Sequence, residues 1–152
     1  MKILDFLSKD LVTVDLKAST KKDVITELVD LLHKSGKIKE KNNVVNILME
    51  REDLGSTGIG QGIAIPHGKS DLVDSIYAAF GVSKKGVNFD ALDGEPVHLI
   101  FLFIAPPDSA GAHLKALAKI SHLLKDKYFR QSLLEAKSSD EVIDIIKEED
   151  EY

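Results

Sequence analysis

The spacing of apolar and polar positions changes several times along the chain, and each change marks an element. Residues 11–16 (LVTVDL) alternate in strand fashion. Ser19 and Thr20 then supply a cap, and the helix they open runs to about Lys34 and stops at Gly36. A second helix covers about residues 40–52, with Val44, Val45, Ile47, Leu48 and Met49 on its apolar side. A glycine-dense stretch follows, and Ile63, Ala64 and Ile65 form a short strand that ends at Pro66. Residues 75–83 read as a strand, 86–89 as a turn with a strand fragment, and Asp93-Gly94 as a turn.

Residues 97–104 are an unbroken apolar run, rich in branched and aromatic side chains, as suits a central strand covered on both faces. Pro106-Pro107 ends it. Three helices are expected after it, over about 110–125, 126–136 and 139–148. Helices before and after a buried sheet imply an α/β fold. The expectation is a three-layer α/β/α sandwich around a mixed central sheet of four or five strands. No repeat or linker divides the sequence, so residues 1–152 read as one domain.

Composition narrows the functions. There is no cysteine, which removes disulfides, iron–sulfur clusters and thiolate zinc sites. The net charge is −5, with an acidic tail expected at Glu148, Glu149, Asp150 and Glu151. An acidic chain without a basic stripe or a tryptophan is a poor nucleic-acid binder. The longest apolar run is far shorter than the ~20 residues that span a bilayer, and Asp5 and Asp10 interrupt any signal-peptide core. These features predict a soluble, cytoplasmic protein with no membrane insertion.

The glycine stretch is the first candidate for chemistry. Gly58, Gly60 and Gly62 do not spell G-x-G-x-x-G, and the stretch follows a helix and precedes a strand, the reverse of a dinucleotide site. No Gly-Lys-Ser/Thr follows to make a P-loop. Two readings stay open: a mobile connection, or backbone amides that converge on an anion with the Ser56 and Thr57 hydroxyls beside them.

His67 stands in Ile65-Pro66-His67-Gly68-Lys69, just beyond the short strand, and strand ends are where α/β domains place their sites. Pro66 restricts the backbone before the ring, and Gly68 leaves the space beside it uncluttered. A neutral imidazole is nucleophilic near pH 7 and forms a labile N–P bond. Arg51 extends the apolar face at the end of its helix, where it either complements the helix dipole or clamps phosphate oxygens. His113 lies in the first turn of a later helix, on the face of Leu117, Ile120 and Leu124, either as a capping side chain or as a donor to an anion. His33, His98 and His122 carry no such pattern, and no metal-ligand spacing or Gly-x-Ser-x-Gly occurs. No cofactor is implied.

The block REDLGSTGIGQGIAIPHGKSD, residues 51–71, resembles the active-site segment of the fructose/mannitol-type EIIA domains of the bacterial phosphotransferase system (PTS). The stretch FDALDGEPVHLIFLFIAPPDSAGAHLKALAKISHLL resembles the central strand and following helix of the same family. With the N-terminal helices, the likeness covers essentially the whole chain. It implies that His67 accepts a phosphoryl group from the carrier protein HPr on its Nε2 (tele) nitrogen, with Nδ1–H bonded to a backbone carbonyl. It implies also that Arg51 and His113 are the other active-site residues, and that the acceptor is a cysteine on an EIIB domain. With no cysteine and no membrane segment here, EIIB and the membrane EIIC are expected on separate polypeptides.

Three readings compete. A sugar-uptake phosphocarrier is favoured, since Gly68-Lys69-Ser70 and FDALDGEPVHL look more like the fructose branch. A regulator resembling the nitrogen-related EIIA proteins would bind target proteins according to the phosphorylation of His67. The third, a fold relative that only binds anions or partners, is disfavoured by His67, Arg51 and His113 occurring together. A shallow apolar patch around the histidine, with Gly58, Ile59 and Ile63 as candidates, is expected to receive partners.

Overall fold

The computed structural model describes residues 2–150; Met1, Glu151 and Tyr152 lie outside it, and with Glu151 the last acidic position named above. The sheet is organised around the apolar run. Strand β6 (Val97–Ala105) is buried at every residue but His98. On one side it pairs antiparallel with β5 (Tyr77–Val87), stacking Phe80 on Phe101 with ring centroids 4.4 Å apart. On the other it pairs parallel with β3 (Ile63–Ala64) and β4 (His67–Lys69). Strand β1 (Val12–Thr13) adds parallel to β5, and β2 (Gly58–Gly60) adds antiparallel to β3. The mixed sheet therefore has six strands among the described residues, in the order β1-β5-β6-β3-β2 with β4 also on β6.

Helices α1 (Lys21–Lys34) and α2 (Lys41–Asp53) pack on each other, α1 against β5 and α2 against β4. Helix α3 (Ala110–Leu123) follows β6 through a short turn at Pro107–Ser109. Helix α4 (Lys127–Glu135) packs on β5 and β6, and α5 (Ser139–Asp150) packs on α4 and β1. This is the expected α/β sandwich. The cap suggested at Ser19 and Thr20 forms at Thr20, and Asp126 and Ser138 cap the later helices. Thr20 accepts from the Asp23 amide, Asp126 from Tyr128 and Ser138 from Glu141, each satisfying an orphan helix donor. Gly36, at φ 76°, ends α1.

Four expectations need correction. The first strand shrinks to Val12–Thr13, because Leu11 belongs to a 3₁₀ turn. The two pieces at 75–83 and 86–89 join into β5, which bends where its register shifts between Val82 and Val87. The acidic end is not a tail as far as Asp150, since α5 continues to that residue, whose buried carboxylate accepts from the Ile3 amide at 2.6 Å.

The fourth correction positions the site. Pro66 does not end the strand. Ile63 pairs with Leu99 and Ala64 with Ile100, and after the interruption His67 pairs with Phe103 and Gly68 with Ile104, in the same register. Proline lacks a donor, yet its carbonyl still accepts from the Phe103 amide at 2.9 Å. His67 is thus fixed in the sheet rather than carried on a loop beyond it.

Candidate functional site

Strand alternation decides where the imidazole goes. A Cβ on Gly68 would meet Cγ2 of Ile47 at 3.0 Å and Cδ2 of Leu48 at 3.6 Å, so that position faces α2. His67 and Lys69, one residue to either side, face the other way. They line a cleft with Arg51, Glu50, His113 and Leu114. The role given to Gly68 changes accordingly: its missing side chain admits helix α2, rather than clearing space for the ring.

His67 is half-buried, and its Nδ1 lies 2.8 Å from the Ile65 carbonyl oxygen. A carbonyl only accepts, so Nδ1 carries the proton and donates, which leaves Nε2 with the lone pair. Burial pushes the pKa of His67 down; the Ile65 bond opposes this, and the charges of Arg51 and Lys69 lower it while Glu52 raises it. The ring is therefore neutral near pH 7, and the nitrogen available for attack is Nε2.

His113 sits in the first turn of α3 with 3% of its surface exposed. Its ring centroid is 5.7 Å from that of His67. Burial first, then the nearby His67 and Lys69, depress its pKa to about 4. Its Nδ1 has no hydrogen-bond partner among the described residues. An unpaired buried polar atom costs about 1–3 kcal/mol, and one that lines a cleft is poised for a ligand atom. Arg51, in the last turn of α2, donates from Nη1 to the Gly55 carbonyl at 2.8 Å and leaves its other donors free to turn to the cleft. An anion entering there meets a guanidinium, an ammonium and two neutral imidazoles.

Residues 5–149 match the family described as "Phosphoenolpyruvate-dependent sugar phosphotransferase system, EIIA 2". The chain belongs to this family. Its EIIA members are phosphotransfer proteins, and the present chain is 42% identical over 150 residues to the PTS system fructose-specific EIIABC component of Bacillus subtilis (strain 168). That alignment covers 99% of this chain but 24% of the relative, so the EIIA sequence spans about a quarter of that larger protein. It is 33% identical over 148 residues to a nitrogen regulatory protein of Bradyrhizobium diazoefficiens, covering 96% of this chain and 95% of the relative. Among solved structures, nitrogen regulatory protein IIA-Ntr from Neisseria meningitidis superposes with a TM-score of 0.87 at 37% identity, over 93% of this chain and 97% of that one.

The glycine stretch of this EIIA chain is tied into the sheet. It forms the hairpin of β2 and β3. The Ser56 hydroxyl donates to the Phe89 carbonyl and accepts from the Gly58 amide at 3.0 Å. The Thr57 hydroxyl and amide both donate to Glu52. Ser56 and Thr57 do line a small hollow with Arg51 and His67, whereas Gly60 and Gly62 line hollows beside Asp93 and His98. Their φ angles of 94° and 79°, on either side of Gln61 at 58°, serve the turn itself. In the expected apolar patch, Ile59 is 44% exposed but Ile63 is buried. The exposed apolar groups at the cleft are instead Leu54 and Leu114.

The sequence alone assigns no role to two groups at the site. Lys69 lines the cleft, and its charge acts on both imidazoles. Glu52 is buried at the end of α2. Its signal was available: it lies one turn beyond Leu48 on the apolar face, where a carboxylate must have partners. Among the described residues no helix is long and apolar enough to cross a membrane, and no group of three His, Cys, Asp or Glu side chains is placed to hold a metal ion.

Proposed function

We propose that this EIIA chain is a phosphocarrier in which Nε2 of His67 attacks the phosphohistidine of HPr. One N–P bond breaks on HPr as another forms on His67, and a cysteine thiolate of an EIIB protein then takes the phosphoryl group for sugar uptake. Such a carrier works in the cytoplasm, where its donor resides. The observation that supports this most directly is the 2.8 Å contact from His67 Nδ1 to the Ile65 carbonyl, which commits one ring nitrogen and frees the other. Arg51 and His113 then meet the oxygens of the group in flight. Phosphoryl transfer asks for little beyond such placement and charge.

The likeness to the fructose-specific component supports uptake of a fructose-type sugar. The full-length likeness to nitrogen regulatory proteins supports a second reading, in which phosphorylated and free forms bind different target proteins. Both use the same histidine.

The test is to incubate the chain with phosphoenolpyruvate, Enzyme I and HPr and to measure intact mass, beside His67→Ala. A gain of one acid-labile phosphoryl group, absent from the variant, is expected. A phosphorylated alanine variant would overturn the assignment of His67. Adding an EIIB protein then separates the readings: loss of the group to EIIB supports uptake, and its retention supports regulation.

A further inference from the structure

The carboxylate of Glu52 is 1% exposed, and its hydrogen bonds lead through Thr57 and Ile65 towards His67. Oε1 accepts from the Thr57 amide at 3.2 Å, and Oε2 accepts from the Thr57 hydroxyl. The Thr57 carbonyl accepts from the Ile65 amide at 3.1 Å, and the Ile65 carbonyl accepts from His67 Nδ1 at 2.8 Å. Lys21, itself 15% exposed, neutralises Glu52 from 3.2 Å while lying over the Phe89 ring. A charge so deeply buried persists only when paired and hydrogen-bonded. Its hydrogen bonds hold one short turn, 55–57, which also supplies the Gly55 carbonyl that holds Arg51.

We infer that Glu52 is a positioning residue for phosphoryl transfer: through Thr57 and Ile65 it holds the carbonyl that fixes the tautomer of His67, and with it the aim of Nε2. The inference rests on His67 being the nucleophile. Glu52 closes the short turn between the end of α2 and the start of β2, and so fixes one against the other. Its charge also reaches the ring, favouring imidazolium against Arg51 and Lys69. Without it, Ile65 keeps its place in the chain, but its carbonyl is free to tilt.

Two near-isosteric variants test this in the full chain, with folding confirmed by thermal melts. Glu52→Gln removes the charge; Thr57→Val removes the hydroxyl and keeps the charge. Proton–nitrogen correlation spectra report the tautomer and titration of His67 without any phosphoryl donor. For Glu52→Gln we expect the His67 pKa to fall and some Nε2–H tautomer to appear. For Thr57→Val we expect an unmoved pKa but about ten-fold faster hydrogen exchange at the Ile65 amide. Both are expected to slow phosphoryl acceptance from HPr about ten-fold at saturating donor, with KM unchanged. Folded variants with wild-type tautomer, titration, exchange and rate would leave Glu52 merely structural and overturn the inference. If the wild type accepts no phosphoryl group, the carrier reading fails, while the spectra still decide whether Glu52 governs the ring.

Discussion

The imidazole rings of His67 and His113 stand 5.7 Å apart between centroids and are tilted by 52°, one anchored to backbone and the other unanchored. They come from a strand and a helix separated by the whole of β5 and β6, so only the closed sheet brings them together. Burial lowers the pKa of both rings, and the nearby His67 lowers that of His113 further, so both are neutral near pH 7. On this geometry an oxygen of a group bound at His67 Nε2 would come within reach of His113.

His113→Ala is therefore expected to slow phosphoryl transfer without preventing it, by about 10²-fold, the range for loss of one preorganised donor. His113→Gln, which keeps an amide donor, is expected to fall between the variant and the wild type. Quenched-flow transfer from phosphorylated HPr measures both. A wild-type rate in His113→Ala would leave His113 as a structural cap.

The same depression has a consequence for stability. His113 titrates near 4 when folded and near 6.5 when unfolded, so between those values the unfolded chain binds the extra proton. The contribution is complete above about pH 6.5 and is lost as pH falls towards about 4, with His67 acting in the same direction. For His113 the loss is on the order of 3 kcal/mol across that window. Urea unfolding of wild type and His113→Gln at several pH values isolates it, because the carboxylates titrate alike in both. Equal pH slopes would refute the assignment.

Arg51 lowers the pKa of His67 by its charge, so Arg51→Gln is expected to raise that pKa while Arg51→Lys leaves it nearly unchanged. The rates divide differently. A lysine lacks the planar fork that can hold the Gly55 carbonyl and a phosphoryl oxygen together, so both variants are expected to lose about ten-fold or more in transfer. A titration of His67 followed by proton NMR, set beside transfer rates, separates field from geometry. A pKa that does not move in Arg51→Gln would place Arg51 too far from the ring to matter.

What could be read from the sequence follows from the range of the forces involved. The helices, the cap at Thr20, and the apolar run of β6 rest on local periodicity and local hydrogen bonds. Strands β2 and β4 were missed. Gly58-Ile59-Gly60 and His67-Gly68-Lys69 have neither alternation nor β-branched content enough to mark them, and their pairing is imposed by β3 and β6. The neighbouring glycines leave the 56–62 backbone, with the Ser56 and Thr57 hydroxyls beside it, open to reading as an anion cradle. Their partners, Phe89 and Glu52, reach them only through the folded chain. His67, Arg51 and His113 were legible by residue type and helix face, but the carbonyl that orients His67 was known only through resemblance.

Gly68 links packing to chemistry most directly. It sits between His67 and Lys69 in β4, and a methyl group there would press on Ile47 at 3.0 Å, with Leu48 and Ile104 close behind. Ile47 stands one helical turn before Arg51, so relief comes by pushing the end of α2 outward and carrying the guanidinium away from His67. Gly68→Ala is thus expected to cost about 1–2 kcal/mol in unfolding free energy, as overpacking does. It is also expected to slow transfer by about ten-fold, since placement dominates the chemistry. Pairing it with Ile47→Ala, which removes the contacting Cγ2 methyl, is expected to recover much of the rate although alanine is the smaller core residue. Denaturation midpoints and transfer rates for the two single variants and the double complete the cycle. A double variant no faster than Gly68→Ala would mean that α2 does not set the position of Arg51, and that Gly68 is needed for some other feature of the strand.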